Sequence, residues 1–205
     1  SASPGKAAEE ADPLVENGLS EASMTTVVLP YITTAREGVE RIAKIVDTHG
    51  SAEGNIIFIA DDKESWYMEI YTGHQYAAVK VPDDMYAVVP NCFLLGYVDT
   101  TSKDVIASKD LINLPKSKGF YKEVDGKFHA GLTYGEDLSD YNRVRLWGGQ
   151  NKLSPSAKVA YNTKLFSLWR KADKKIALED VMELQRYRYE DTDKNANLPE
   201  NAGVR

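Results

Sequence analysis

The sequence predicts an α+β fold in which helices cover antiparallel strands. Three observations carry this. An amphipathic run with helical spacing follows Thr33-Thr34. From Asn55 the period changes to short apolar and aromatic runs separated by polar turns. No crossover helix intervenes between those runs, which argues for antiparallel pairing rather than a parallel βαβ sheet.

Residues 1–18 are polar, carry Pro4, Gly5, Pro13 and Gly18, and read as loop. Ser20 caps a short helix that Pro30 ends or kinks, because proline lacks the amide a helix interior needs. Thr33 or Thr34 starts a second helix. Its Val39, Ile42, Ile45 and Val46 recur at helical spacing, Arg36, Glu37, Glu40 and Lys44 face water, and Gly50 stops it. Asn55–Ala60 and Trp66–Tyr71 read as a hairpin around the polar turn 61–65. Tyr76–Val81 and Met85–Val89 read as two more strands around "PDD", giving four antiparallel strands.

Beyond Asp99 the patterns are shorter. Ser108 is placed to cap a helix over "KDLIN", and Asp125-Gly126 is a good hairpin turn dipeptide. Ser139 starts a helix that Gly148-Gly149 should stop, and "LFSLW" reads as a further strand. A last helix carries Leu178, Val181, Met182 and Leu184 as its stripe. Residues 186–205 read as a polar tail.

Composition excludes several function classes. The 205 residues are 42% hydrophobic and 27% charged, ordinary globular values, with a formal charge of -6. No dense basic cluster is present, so nucleic acid is not an expected partner, since that affinity rests on neutralising phosphates. "KADKK" at 171–175 reads as a solvated turn. The single cysteine, Cys92, rules out a disulfide framework or a multi-cysteine metal site. No apolar run approaches the ~20 residues that span a bilayer, so no membrane partner is expected. The N-terminal stretch lacks the basic start and apolar core of a signal peptide, and a cytoplasmic protein is the expectation. The chain starts without Met and reads as beginning mid-protein.

The candidate chemistry is sparse. His49, His74 and His129 lie far apart without metal-ligand spacing, so no metal or cofactor is expected. Asp61-Asp62 and Asp83-Asp84 read as turn residues that bond their own backbone. Neither GxGxxG nor GxxxxGK occurs. Cys92 reads as a nucleophile with His74 as base, or as a small buried residue beside Phe93 and Leu94 with no positive charge to lower its pKa. Ser1 has the chemistry of a terminal nucleophile but sits in a polar segment rather than at the head of a strand. Asn91, after Pro90 at a strand end, is positioned to donate to a developing oxyanion or simply to cap a turn. Arg145, one turn from Tyr141 and Asn142, suits a two-pronged grip on a substrate carboxylate or a surface ion pair.

The ordered segments "VVLPYITTAREGVERI", "WYMEIYTGHQYAAVKVPDDMYAVVPN", "YNRVRLWGGQ" and "KIALEDVMELQRYRYEDT" resemble the dipeptidase A family of lactic acid bacteria and relatives. The similarity runs along most of the chain. It implies a cysteine-type N-terminal nucleophile hydrolase with a four-layer αββα sandwich, related to bile salt hydrolases and penicillin V acylases. Such enzymes cleave dipeptides with an N-terminal Cys whose own amine is the base, and need no metal. The family's nucleophile, and the arginine and aspartate that follow it, stand upstream of the point where Ser1 aligns. The resemblance therefore implies that 1–205 is an internal portion of one such domain, inert by itself and completed by the remaining segments of a parent enzyme. It also implies roles. Asn91 matches the strand-end asparagine of the oxyanion site and Arg145 the arginine near the catalytic centre, and His74 and Tyr76, on the same strand system, are expected to line the substrate pocket. The alternative is a non-catalytic binding or structural module derived from that fold. Strand edges left without partners predict a homo-oligomer.

Overall fold

The computed structural model describes residues 2–204, so Ser1 lies outside the described residues. The chain divides into two compact units. The first comprises Ser1–Asp83 and Asn91–Asp137, the second Asp84–Pro90 and Leu138–Arg205.

In the first unit, α1 spans Lys6–Ala11, α2 Glu21–Val28 and α3 Ala35–His49. Ser20 is the N-cap of α2, and a 3-10 turn at Leu29–Tyr31 containing Pro30 ends it. The start of α3 is a capping box. Thr34 Oγ1 accepts from the Glu37 N–H (3.2 Å) and Glu37 Oε2 from the Thr34 N–H (3.1 Å). Gly50 closes α3 at φ 76°, a left-handed value that favours glycine. Strands β1 (Asn55–Ala60), β2 (Ser65–Ile70), β3 (Tyr76–Lys80) and β4 (Val105–Ala107) form one antiparallel sheet in that order. Helix α4 (Asn113–Lys118), the β5–β6 ladder (Glu123–Val124 and Lys127–Phe128) and α5 (Ala130–Tyr134) complete the unit. Asp125 and Gly126 both take positive φ, as the expected tight turn requires.

The sheet is covered on both faces. Val39, Ile42 and Val46 of α3 pack against Trp66, Met68 and Ile70 of β2 and Tyr76 and Ala78 of β3, all buried. Burying each of the Val, Ile and Met side chains stabilises the fold by about 1.5–3 kcal/mol. The alternate residues of β2, Tyr67 and Glu69, point to the opposite face and are also fully buried.

The second unit contains α6 (Asp140–Leu153) and α7 (Leu178–Arg186), with 3-10 turns at Pro155–Ala157 and Pro199–Val204. Ser139 caps α6 by accepting from the Asn142 N–H.

Several expectations need correction. The 1–18 loop contains α1, whose Ala8 is buried; good helix formers outweigh the flanking proline and glycine. Met85–Val89 is not the fourth strand. The free side of β3 is taken by β4, a long-range pairing that local pattern cannot show, and 85–89 makes a single bridge, Tyr86 to Arg170, in the other unit. Ser108 caps no helix. Its hydroxyl donates to Gln75 Oε1 (2.8 Å) and accepts from the Tyr76 N–H (3.2 Å). Helix α6 runs through Gly148-Gly149, which serve close packing instead of a stop. "LFSLW" forms no strand. Leu178, Val181 and Met182 on α7 are exposed, and of the expected polar tail the described residues after α7, 187–204, fold into turns and a 3-10 segment with Ala196 buried.

Candidate active site

Asn91 does not end a strand, because 85–89 has left the sheet. It lies exposed at a bend directly after the buried Pro90. The segment from Phe93 to Gly96 is tightly held although it forms neither helix nor strand. Glu69 Oε1 accepts from the N–H groups of Leu94 (2.6 Å) and Leu95 (3.0 Å), and from the Tyr67 hydroxyl. On its other side the same segment accepts from α5, Ala130 N–H to Gly96 O (3.2 Å) and Gly131 N–H to Leu95 O (2.7 Å). A Cβ on Gly131 would meet the Phe93 carbonyl oxygen at 2.8 Å, so glycine permits this approach.

Aromatic rings pack beside this segment. Tyr71 stacks on Tyr134 with centroids 4.7 Å apart and meets the Phe93 ring edge-on at 5.0 Å. Burial raises the Glu69 pKa, opposed by the Tyr67 hydroxyl and the two amides. Glu69 Oε2 and the Tyr71 hydroxyl are buried without a well-formed hydrogen bond among the described residues, although the Tyr71 hydroxyl is close enough to favour the carboxylate. Cys92, just ahead of this segment, is partly buried.

His74 and Tyr76 are tied to the carboxylates of Asp12, just after α1, and of Asp47, in α3. His74 donates its backbone N–H to Asp12 Oδ2 (2.6 Å), and its Nδ1 lies 2.9 Å from Asp12 Oδ1. Tyr76, 3% exposed, donates its hydroxyl to Asp47 Oδ2 (3.1 Å) at the end of α3.

Arg145 lies in the second unit, on α6. Its guanidinium donates to Tyr141 O (3.2 Å) and to Asn142 Oδ1 and rests 4.0 Å over the Tyr141 ring. It faces a cavity of about 370 Å³ walled by Val88, Val89, Tyr187, Arg188 and Tyr189. Two guanidinium-bearing residues among apolar and phenolic walls suit an anionic group on an otherwise apolar ligand. Among the described residues, no group of three His, Cys, Asp or Glu side chains is placed to hold a metal ion, and no helix is long and apolar enough to cross a membrane.

Residues 3–202 match the protein family described as peptidase family C69. The chain belongs to peptidase family C69. It is 51% identical over 194 residues to "Probable dipeptidase B" of Streptococcus pyogenes serotype M1, covering 94% of this chain and 39% of that protein. It is 37% identical over 185 residues to "Probable dipeptidase" of Latilactobacillus sakei, covering 89% and 39%. It is 33% identical over 199 residues to "Probable dipeptidase A" of Streptococcus pyogenes serotype M3 (strain SSI-1), covering 89% and 40%. The chain spans about 39–40% of the length of these three relatives. The sequence resemblance to dipeptidases is borne out, as is the mixed fold with antiparallel sheets.

Sequence reasoning passed over Glu69 in this C69 chain. A signal was present: one carboxylate inside "SWYMEI", a strand aromatic and apolar from Trp66 onward apart from it. A lone charge there marks either an exposed face or a buried group with dedicated partners. Local pattern cannot choose between them, because the donors come from Leu94 and Leu95, distant in sequence.

Proposed function

We propose that the whole protein containing this chain hydrolyses dipeptides through an N-terminal cysteine nucleophile contributed from outside these 205 residues, in an αββα sandwich to which this chain supplies helices and sheet. The C69 match along residues 3–202, with relatives named as dipeptidases, carries the reading. In it, the Asn91 side chain donates to the oxyanion that forms as the thiolate attacks the carbonyl. Its exposure at a bend followed by a pinned segment supports that role. Arg145, on the cavity of its own unit, takes the substrate carboxylate or orders the catalytic centre. His74 keeps an exposed ring edge for substrate contact, whereas Tyr76 acts as wall through Asp47. The protein works in the cytoplasm as a homo-oligomer, and these 205 residues alone are inert.

The test is dipeptide hydrolysis by the longer protein with iodoacetamide as probe. Inactivation with label on an N-terminal cysteine is the expected result. Inactivation with label confined to Cys92 overturns the nucleophile assignment, and absence of any hydrolysis favours a binding module. Asn91→Ala should lower kcat by ~10²–10³, as loss of an oxyanion donor does.

A further inference from the structure

The span from Asn91 to Phe93 is short and held at its downstream end. There, two successive N–H groups converge on one carboxyl oxygen of Glu69. Glu69, the fifth of six residues in β2, is paired to Ile56 of β1 on one side and Ala77 of β3 on the other. Its backbone is held from both sides, and its side chain carries that hold into a segment with no ladder of its own.

A carboxyl group is a costly choice for a fully buried position, since an apolar side chain would avoid desolvation. What it supplies is an acceptor that three donors can share. Both its flanks are aromatic, Tyr67 and Tyr71, and the Tyr71 ring packs against Phe93. The cluster therefore grips the segment through backbone and side chain together.

We propose that Glu69 is a positioning residue for Asn91, acting through the Leu94 and Leu95 amides to set the direction of the bend that presents it. The inference rests on the oxyanion role proposed for Asn91. Glu69 touches no substrate. It differs from a merely structural residue in that its loss moves kcat before it moves stability or KM.

The experiment compares Glu69→Met, Glu69→Gln, Asn91→Ala and the Glu69→Met/Asn91→Ala double variant in the full-length enzyme. Methionine keeps length and burial but removes the acceptor. It should lower kcat by about thirtyfold while KM changes by less than about threefold. Glutamine keeps an oxygen for the two amides and turns a donor toward the Tyr71 hydroxyl, so it should recover most of the lost rate. The double variant should be no slower than Asn91→Ala alone, since the two act as one unit. Wild-type kcat in Glu69→Met, or fully multiplicative losses in the double variant, overturns the proposal. Should Glu69→Met fail to fold, amide hydrogen exchange on the wild type decides. Leu94 and Leu95 protected as strongly as β2 supports the anchor, and exchange at exposed-loop rates overturns it. Full activity in Asn91→Ala instead overturns the oxyanion reading and the purpose assigned to Glu69 with it, an outcome distinct from a defective Asn91→Ala beside an unaffected Glu69→Met.

Discussion

His129 shows how a single buried side chain acquires a pH signature. It is 8% exposed, and its Nδ1 accepts from the Leu132 N–H (3.2 Å), which requires the neutral ring. Burial holds its pKa below the ordinary 6.5. The unfolded chain therefore binds the proton more readily than the folded one. Stability is fully present above pH 6.5 and falls as pH drops from there toward the lowered folded value. Thermal unfolding followed from pH 7 to pH 5 should show this slope. His129→Asn, whose side-chain oxygen can take the Leu132 N–H but does not titrate, should flatten it. Neither the burial of His129 nor that of Glu69 was legible in sequence, because each depends on a partner segment arriving from elsewhere in the chain. Asn91 and Arg145 were singled out by residue type. Their surroundings, a bend for one and a cavity wall for the other, came from the packing.

At the scale of elements, α3 and α6 make an instructive pair. Helix α3 was readable end to end, since its cap, its stripe and its terminal glycine all lie within the helix and its flanks. Helix α6 misled at its glycines. A Cβ on Gly148 would meet Tyr189 Cε1 at 2.5 Å, and one on Gly149 would meet Val88 Cγ1 at 2.7 Å. The glycines let two other segments lie against the helix, so the same residues that usually end a helix here sustain its packing. Gly149→Ala should gain helix propensity yet lose stability by about 1–3 kcal/mol, the usual cost of overpacking. Chemical denaturation measures it, and a more stable variant would mean that Val88 moves aside freely. The missing strand at 85–89 has the same origin. Its β-branched residues fit a strand, but β4 occupies the position beside β3 and Val88 packs on α6 instead.

For the molecule as a whole, sheet edges matter most. The four-stranded sheet ends at β1 and β4. Strand β1 is the longer edge, and its Phe58 is 52% exposed. An open, apolar edge invites another strand. The chain expressed alone should therefore elute from size exclusion, with light scattering, as a dimer or larger species. A monodisperse monomer would count against the oligomer and against completion of this sheet by another segment. Membership of the dipeptidase-related family was legible in the sequence, because ordered motifs survive without reference to three dimensions. So was the succession of helices then antiparallel strands, because hydrophobic period and capping are local properties. Only the tertiary structure decided that β4 closes the sheet, that α6 continues through its glycines, and that Glu69 grips the segment after Asn91. Each of these is a contact between residues distant in the chain, and its free energy exists only once both partners have been brought together.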